Sequence, residues 1–309
     1  MRPPRPTAPS AHSGDRMFDA PATANPTGRL AALLPDLGRR TLVMGILNAT
    51  PDSFSDGGRW NELATGLAHA HAMVAEGAAI LDVGGESTRP GHTPVAVEDE
   101  VARVVPFIAR LAGETAVPIS IDTFKAATAR AAFEAGATIL NDVWGLTRDP
   151  DIARVAADFR APVIVMHNRD AADPAIDTIA DQLDFFRRAL DRALAAGIPE
   201  ADVVIDPGIG FGKTHEQNLE TLARLDELAV LGRPILLGTS RKSLIGRILD
   251  VPPEERLAGT LATNVAGILA GAAILRVHDV RPHVEAAKVV DAIVSSRRGG
   301  PSARRGARP

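Results

Sequence analysis

The chain has 309 residues, 45% of them hydrophobic and 23% charged, with a formal net charge of −4. That balance suits a soluble globular protein with a sizeable core, and it excludes the basic stripe of a nucleic-acid binder. There is no cysteine, which excludes disulfides, thiolate metal sites and a cysteine nucleophile.

The opening stretch, "MRPPRPTAPSAHSGDRMFDAPATANPTG", lacks the apolar run of a secretory signal. Residues 1–38 read as a flexible leader. Short β-branched or apolar runs then recur, separated by Ala/Leu/Glu/Arg-rich stretches. Strands are predicted at "TLVMGIL" (41–47), "AAILDV" (78–83), "VPISI" (117–121), "ATILN" (137–141), "PVIVM" (162–166), "DVVID" (202–206), "PILLG" (234–238) and "AILRV" (273–277). Helices are predicted near 62–76, 97–112, 125–135, 150–158, 177–196, 216–229, 255–270 and 282–296. The uncharged run Leu257–Leu275 is rich in Ala and Gly and contains Asn264, so it reads as a small-residue helix and a buried strand, not a membrane span. The Arg-rich end, 297–309, reads as a basic disordered tail. No membrane partner is expected, and the cytoplasm is the default location.

Strict βα alternation implies a parallel sheet with helical crossovers. Eight units over this length predict a single-domain α/β (β/α)8 TIM barrel at residues 39–296. A doubly wound sheet is the rival, but its Gly-rich dinucleotide turn is missing after the first strand, where "NATPDSF" stands.

"DPGIGFGKT" invites comparison with the phosphate-binding P-loop, G-x-x-x-x-G-K-[ST]. Counting back from Gly212-Lys213-Thr214 puts Pro207 at the first glycine. Proline offers no N–H to a phosphate and has a fixed φ. The P-loop reading fails there.

Polar residues fall at the strand ends: Asn48, Asp122, Asn141 and Asp206 close strands 1, 3, 4 and 6. Lys242 follows strand 7, and Arg276 and His278 end strand 8. Singly, each reads equally well as a cap or turn residue. Alternation puts Met44, Ile46 and Asn48 on one face, and likewise Ile274, Arg276 and His278. If that face points inward, seven polar groups converge on the C-terminal mouth, where barrel enzymes place their sites. The carboxylates suit a flat ring rich in N–H donors, held by Asp206 through paired bonds. The rim is cationic, and "GGESTRPG" with Ser87, Thr88 and Arg89 suits an anion. No cluster has zinc-ligand spacing, whereas Mg²⁺, which borrows few protein ligands, would leave no sequence mark.

"MGILNATPDSFSDGG", "LDVGGESTRPG", "ISIDT", "ILNDV", "DPGIGFGK", "GTSRKS" and "RVHDV" resemble, in order, the successive motifs of dihydropteroate synthase. The resemblance covers residues from about Thr41 to Ser295. It implies a (β/α)8 barrel that joins 6-hydroxymethyl-7,8-dihydropterin diphosphate to 4-aminobenzoate, with Mg²⁺ as cofactor and a homodimeric assembly. It implies a pterin pocket of Asp122, Asn141, Asp206 and Lys242, with Met166 packing on the ring. It implies diphosphate contacts from Asn48, Arg276 and His278, with Asn48 also the Mg²⁺ ligand. Thr88 and Arg89, with Phe54 and Asp56, would close over the substrates, and Phe211 would wall the aminobenzoate pocket. Asp56, Arg89, Asp122 and Lys242 are the implied catalytic residues.

One departure is "MHNRD", where the family often reads Met-His-Met and this chain has Asn168. Asp82 and Glu86 lie near the mouth without an assigned role, and His167, Lys213 and His215 read as structural or solvent-facing. Two alternatives share the barrel: a non-catalytic pterin-binding paralogue, and a folate-dependent methyltransferase domain. The latter has no need of the diphosphate site that Arg276, His278 and "STRPG" suggest.

Overall fold

The computed structural model describes residues 28–49, 59–87 and 94–298. The order of elements in the first half is β1 (Leu42–Asn48), α2 (Arg59–Glu76), β2 (Ile80–Gly84), α3 (Val97–Glu114), β3 (Ile119–Asp122), α4 (Ala126–Glu134), β4 (Ile139–Asp142) and α5 (Ile152–Asp158), preceded by a short α1 (Gly28–Leu33). The second half runs β5 (Val163–Met166), α6 (Thr178–Ala195), β6 (Val203–Asp206), α7 (His215–Ala223), β7 (Ile235–Leu237), α8 (Ser243–Leu249), α9 (Leu257–Leu269), β8 (Ala272–Val277) and α10 (Val280–Arg298). The strands close into a barrel in sequence order, β8 pairing back onto β1, and every pairing is parallel. The predicted barrel is the observed one.

Strand alternation divides the core in two. Val43, Leu81, Val83, Ile121, Leu140, Val163, Val165, Val203, Ile205, Leu237 and Leu275 join the helix-facing core. Their neighbours one residue away, Leu42, Met44, Ile80, Ile139, Ile164, Val204, Leu236 and Ile274, form a separate cluster inside the barrel. Strands buried on both faces explain why the sequence shows continuous apolar runs and no polar alternation. The inward series continues up each strand: Ile80 to Asp82, Ile139 to Asn141, Ile164 to Met166, Val204 to Asp206, Ile274 to Arg276. The interior is apolar below and polar at the C-terminal mouth.

The floor corrects the expected leader. Leu30, Leu34 and Leu37 are buried and belong to the inner cluster, so residues 28–37 plug the barrel from below. Asp202 fastens this plug by accepting from the Leu30 backbone N–H at 2.8 Å. Three leucines at i, i+4 and i+7 are the apolar stripe of a covering segment, a signal masked by the Pro- and Ala-rich residues before it.

Helix boundaries differ elsewhere for local reasons. The helix predicted at 216–229 stops at Ala223 and gives way to a 3-10 stretch, Leu225–Leu231. α8 was not predicted: it has seven residues, too few to show a helical period. α10 continues to Arg298, past the predicted start of the basic tail. Among the described residues no helix is long and apolar enough to cross a membrane.

Candidate active site

Closure of the barrel brings distant strand ends together. Arg276, on β8, donates from Nε to Asp82 Oδ2 at 2.6 Å and from Nη2 to Asp122 Oδ2 at 2.7 Å. Asn141 Nδ2 donates to the same Asp82 oxygen at 3.1 Å. One guanidinium therefore lies between two buried carboxylates, with Nη1 outside both contacts. Burial alone would lower the Arg276 pKa, but Asp82 and Asp122 outweigh it and hold the group above its ordinary value.

Asp122 is pushed up to about 7, first by burial, with Asp82, Glu100 and Asp142 adding repulsion against the pull of Arg276. A carboxyl able to change charge near neutrality thus sits in the mouth. Asp82 has no exposed surface and orients both Arg276 and Asn141. No local motif assigns it a role, although it follows Ile80 by two positions on the same inward face.

Asp206 and Lys242 form the second group. Asp206 Oδ1 accepts from the Gly208 N–H at 2.8 Å. A Cβ placed on Gly238 would stand 3.9 Å from Asp206 Oδ2, 3.9 Å from Arg276 Cβ and 4.0 Å from Lys242 Nζ. Glycine at 238 therefore keeps space open where these groups meet. Burial raises the Asp206 pKa against the attraction of Lys242, and burial lowers Lys242 to about 8. Lys242 Nζ also donates to the Ile209 carbonyl and lies 4.6 Å from the centre of the Phe211 ring. Met166 is buried and pairs in register with Asp206.

The remaining predicted residues occupy the rim. Asn48 ends β1 with an exposed side chain, in register with Gly84. His278 Nδ1 lies 2.9 Å from Ser240 Oγ, which also accepts from the His278 N–H at 3.2 Å. Phe54, Asp56, Thr88 and Arg89 lie outside the described residues. The structure thus gathers Asp122, Asn141, Met166, Asp206, Phe211, Lys242 and Arg276, with Asn48 and His278 at the strand ends around them.

Three residues are more deeply engaged than the sequence suggests. Glu86 is buried and meets Lys125 Nζ at 2.6 Å, beside Glu100 at 2.8 Å. His167 is buried, and Lys213 Nζ reaches its Nδ1 at 2.7 Å. Thr214 completes the false P-loop differently. It caps α7, accepting from the Gln217 N–H at 3.1 Å, while Gln217 Oε1 accepts from the Thr214 N–H at 3.0 Å. That reciprocal pair is a capping box. Asn168, the departure from the family pattern, accepts from the Arg169 N–H at 2.8 Å, a bond within its own turn.

The profile of the pterin binding enzymes matches residues 44–278. Dihydropteroate synthase of Clostridium beijerinckii is 49% identical over 260 residues, 84% of this chain and 96% of that protein. The chain belongs to the dihydropteroate synthase family.

Dihydropteroate synthase of Bacillus subtilis is also 49% identical, over 83% of this chain and 90% of its own. Among solved structures, dihydropteroate synthase of Clostridium difficile, in the presence of pteroic acid, superposes with a TM-score of 0.82. It shares 52% identity over 84% of this chain and 98% of that one. The Xanthomonas albilineans dihydropteroate synthase with 4-aminobenzoic acid gives a TM-score of 0.79 at 45% identity, over 82% and 93% of the two chains. Both solved members share this fold over more than four fifths of the chain.

Proposed function

We propose that this chain condenses 6-hydroxymethyl-7,8-dihydropterin diphosphate with 4-aminobenzoate, forming 7,8-dihydropteroate and releasing pyrophosphate, at the mouth just described. The observation that carries the reading is the convergence of Asp206, Asn141, Lys242, Asp122 and Arg276 in a chain so similar to dihydropteroate synthases. It makes the chain a transferase of folate biosynthesis. The relatives solved with 4-aminobenzoic acid and with 7,8-dihydropteroate support the same substrate and product here.

Asp206 takes the 2-amino and N3 hydrogens of the pterin as a bidentate acceptor. Lys242 donates to the O4 and N5 side, and Met166 packs on the ring. The methylene C–O bond breaks and its electron pair leaves with the diphosphate. Arg276 and His278 stabilise the charge that builds there. The pterin spreads the resulting cation, and ionised Asp122 favours it electrostatically. The aromatic amine of 4-aminobenzoate, beside Phe211, then forms the C–N bond and loses its proton to solvent. Phe54, Asp56, Thr88 and Arg89 close over the substrates in this reading and exclude water that would capture the cation.

The donor chemistry of the rim fits Mg²⁺. Asn48 presents an exposed amide oxygen, a hard ligand suited to an ion that keeps most of its waters and takes the rest from phosphate oxygens. Bound there, Mg²⁺ would supply charge stabilisation for the diphosphate. A cytoplasmic homodimer completes the reading. The exposed Val289 and Ile293, one turn apart on α10, supply apolar surface for such assembly.

The test is a coupling assay with the dihydropterin diphosphate, 4-aminobenzoate and Mg²⁺, following both products. Dihydropteroate formation that requires all three supports the reading. Binding of the diphosphate without either product would make the chain a silent pterin-binding paralogue.

A further inference from the structure

The chain Lys213–His167–Asp181 lies behind the substrate-facing groups and none of the steps above uses it. Lys213 Nζ stands 2.7 Å from His167 Nδ1, 3.0 Å from the Gly208 carbonyl and 3.2 Å from the Phe211 carbonyl. Burial lowers the Lys213 pKa to about 7 against the attraction of Asp206; in its ammonium form it has three hydrogens and no lone pair, so these three acceptors match it fully. His167 Nδ1 must then accept. Its one hydrogen sits on Nε2, which donates to Asp181 Oδ2 at 2.9 Å. Arg169 Nη1 donates to that oxygen at 3.0 Å. Burial and the neighbouring Lys213 push the imidazole down to about 3, which keeps it in the neutral form this chain needs. Phe185 holds the ring edge-on at 4.9 Å between centroids.

The loop that Lys213 grips has little freedom to shift toward its neighbour. Gly208 has φ +66°, and a Cβ there would stand 2.0 Å from the His167 carbonyl oxygen. Gly212 has φ +53°, and its Cβ would stand 2.6 Å from the Arg169 carbonyl oxygen. The loop backbone therefore lies directly on residues 167–169. Lys213 ties it there from within, and Lys242 holds the Ile209 carbonyl from across the mouth. Phe211 is held at its backbone carbonyl by Lys213, while its ring centre lies 4.6 Å from Lys242 Nζ.

We propose that Lys213 is a positioning residue for the aminobenzoate half of the reaction: with neutral His167 oriented by Asp181, it fixes the β6–α7 loop in the shape that sets Phe211. The lysine that would hold a nucleotide's phosphates in a P-loop here holds its own loop's carbonyls. The proposal rests on the synthase reading for its kinetic consequence, and on the loop geometry alone for its structural one.

Three full-length variants test it. Lys213→Met keeps the aliphatic stem and removes the three donors. His167→Phe keeps a ring against Phe185 and removes the acceptor, whereas His167→Asn returns an acceptor oxygen near the place of Nδ1. The expected result is that Lys213→Met and His167→Phe raise the KM for 4-aminobenzoate about tenfold or more. The Kd for the pterin diphosphate stays within about threefold, and His167→Asn stays within about threefold of wild type in both. Hydrogen exchange of the 208–213 segment, read without turnover, should quicken about tenfold in Lys213→Met and His167→Phe only. Unchanged KM and exchange would overturn the proposal. So would equal losses in both ligands, or His167→Asn as impaired as His167→Phe. If Lys213→Met does not fold, the two His167 variants decide by the same criteria. An inactive wild type would instead overturn the synthase reading, with the exchange measurement still deciding for or against the positioning role.

Discussion

Replacing Asp82 by Asn removes one of the two negative charges that share Arg276, while keeping an oxygen to accept from it. Asp82 and Asp122 bond different nitrogens of one guanidinium. Two carboxylates about 4–6 Å apart repel, at an effective dielectric of about 20, by about 3–4 kcal/mol. Pairing of both with Arg276 screens part of that, leaving about 1–2 pH units on the Asp122 titration at about 1.4 kcal/mol each. Asp122 ionises near 7 in the wild type. With Asp82 neutral, the acid limb of kcat/KM should therefore move to lower pH by about 1–2 units. Folding should weaken by about 1–2 kcal/mol, because a bond to a carboxylate becomes a bond to an amide. The assay is initial-rate dihydropteroate formation from pH 5 to 9 for both proteins. An acid limb that stays in place or moves upward would refute the charge coupling, whatever happens to the absolute rate.

Asp206→Ala should weaken pterin binding about 100-fold, because two charge-assisted bonds amount to about 3 kcal/mol; calorimetry with the pterin diphosphate checks this, and unchanged affinity would remove Asp206 from the pocket. Asp122→Asn should cut turnover yet melt higher than wild type at pH 8. Between its ordinary value of 3.8 and about 7, the folded chain holds a proton that the unfolded chain has released, so stability falls as pH rises through that window. The melting advantage should shrink towards pH 5, and a variant that melts lower at pH 8 would contradict the burial argument. Leu34→Ala should cost about 3 kcal/mol by opening the barrel floor, a fall of about 5 °C in Tm by calorimetry for a domain of this size. Its KM values at low temperature should match wild type, since the floor is at the opposite end from the mouth.

By itself the sequence determined the barrel and most of its mouth. The apolar runs from "TLVMGIL" to "AILRV" alternate with helical stretches, and the two-residue period carries Met44 to Asn48 and Ile274 to Arg276 up the same face. These are local signals, readable within six or seven residues. The motifs around Asp122, Asn141, Asp206 and Lys242 are local as well, so the family was legible from them. Only the tertiary structure decided which residues meet. Arg276 reaches Asp82 and Asp122 across 194 and 154 residues of sequence, contacts created when β8 pairs with β1. Leu30 becomes core only because the barrel leaves an apolar floor to cover. Lys213 carries the same letters as a nucleotide-binding lysine, but the acceptors within its reach come from its own loop and from His167 on a neighbouring strand end. A residue's period along the chain fixes the face it presents; what it touches on that face is set by closure, which no local pattern contains.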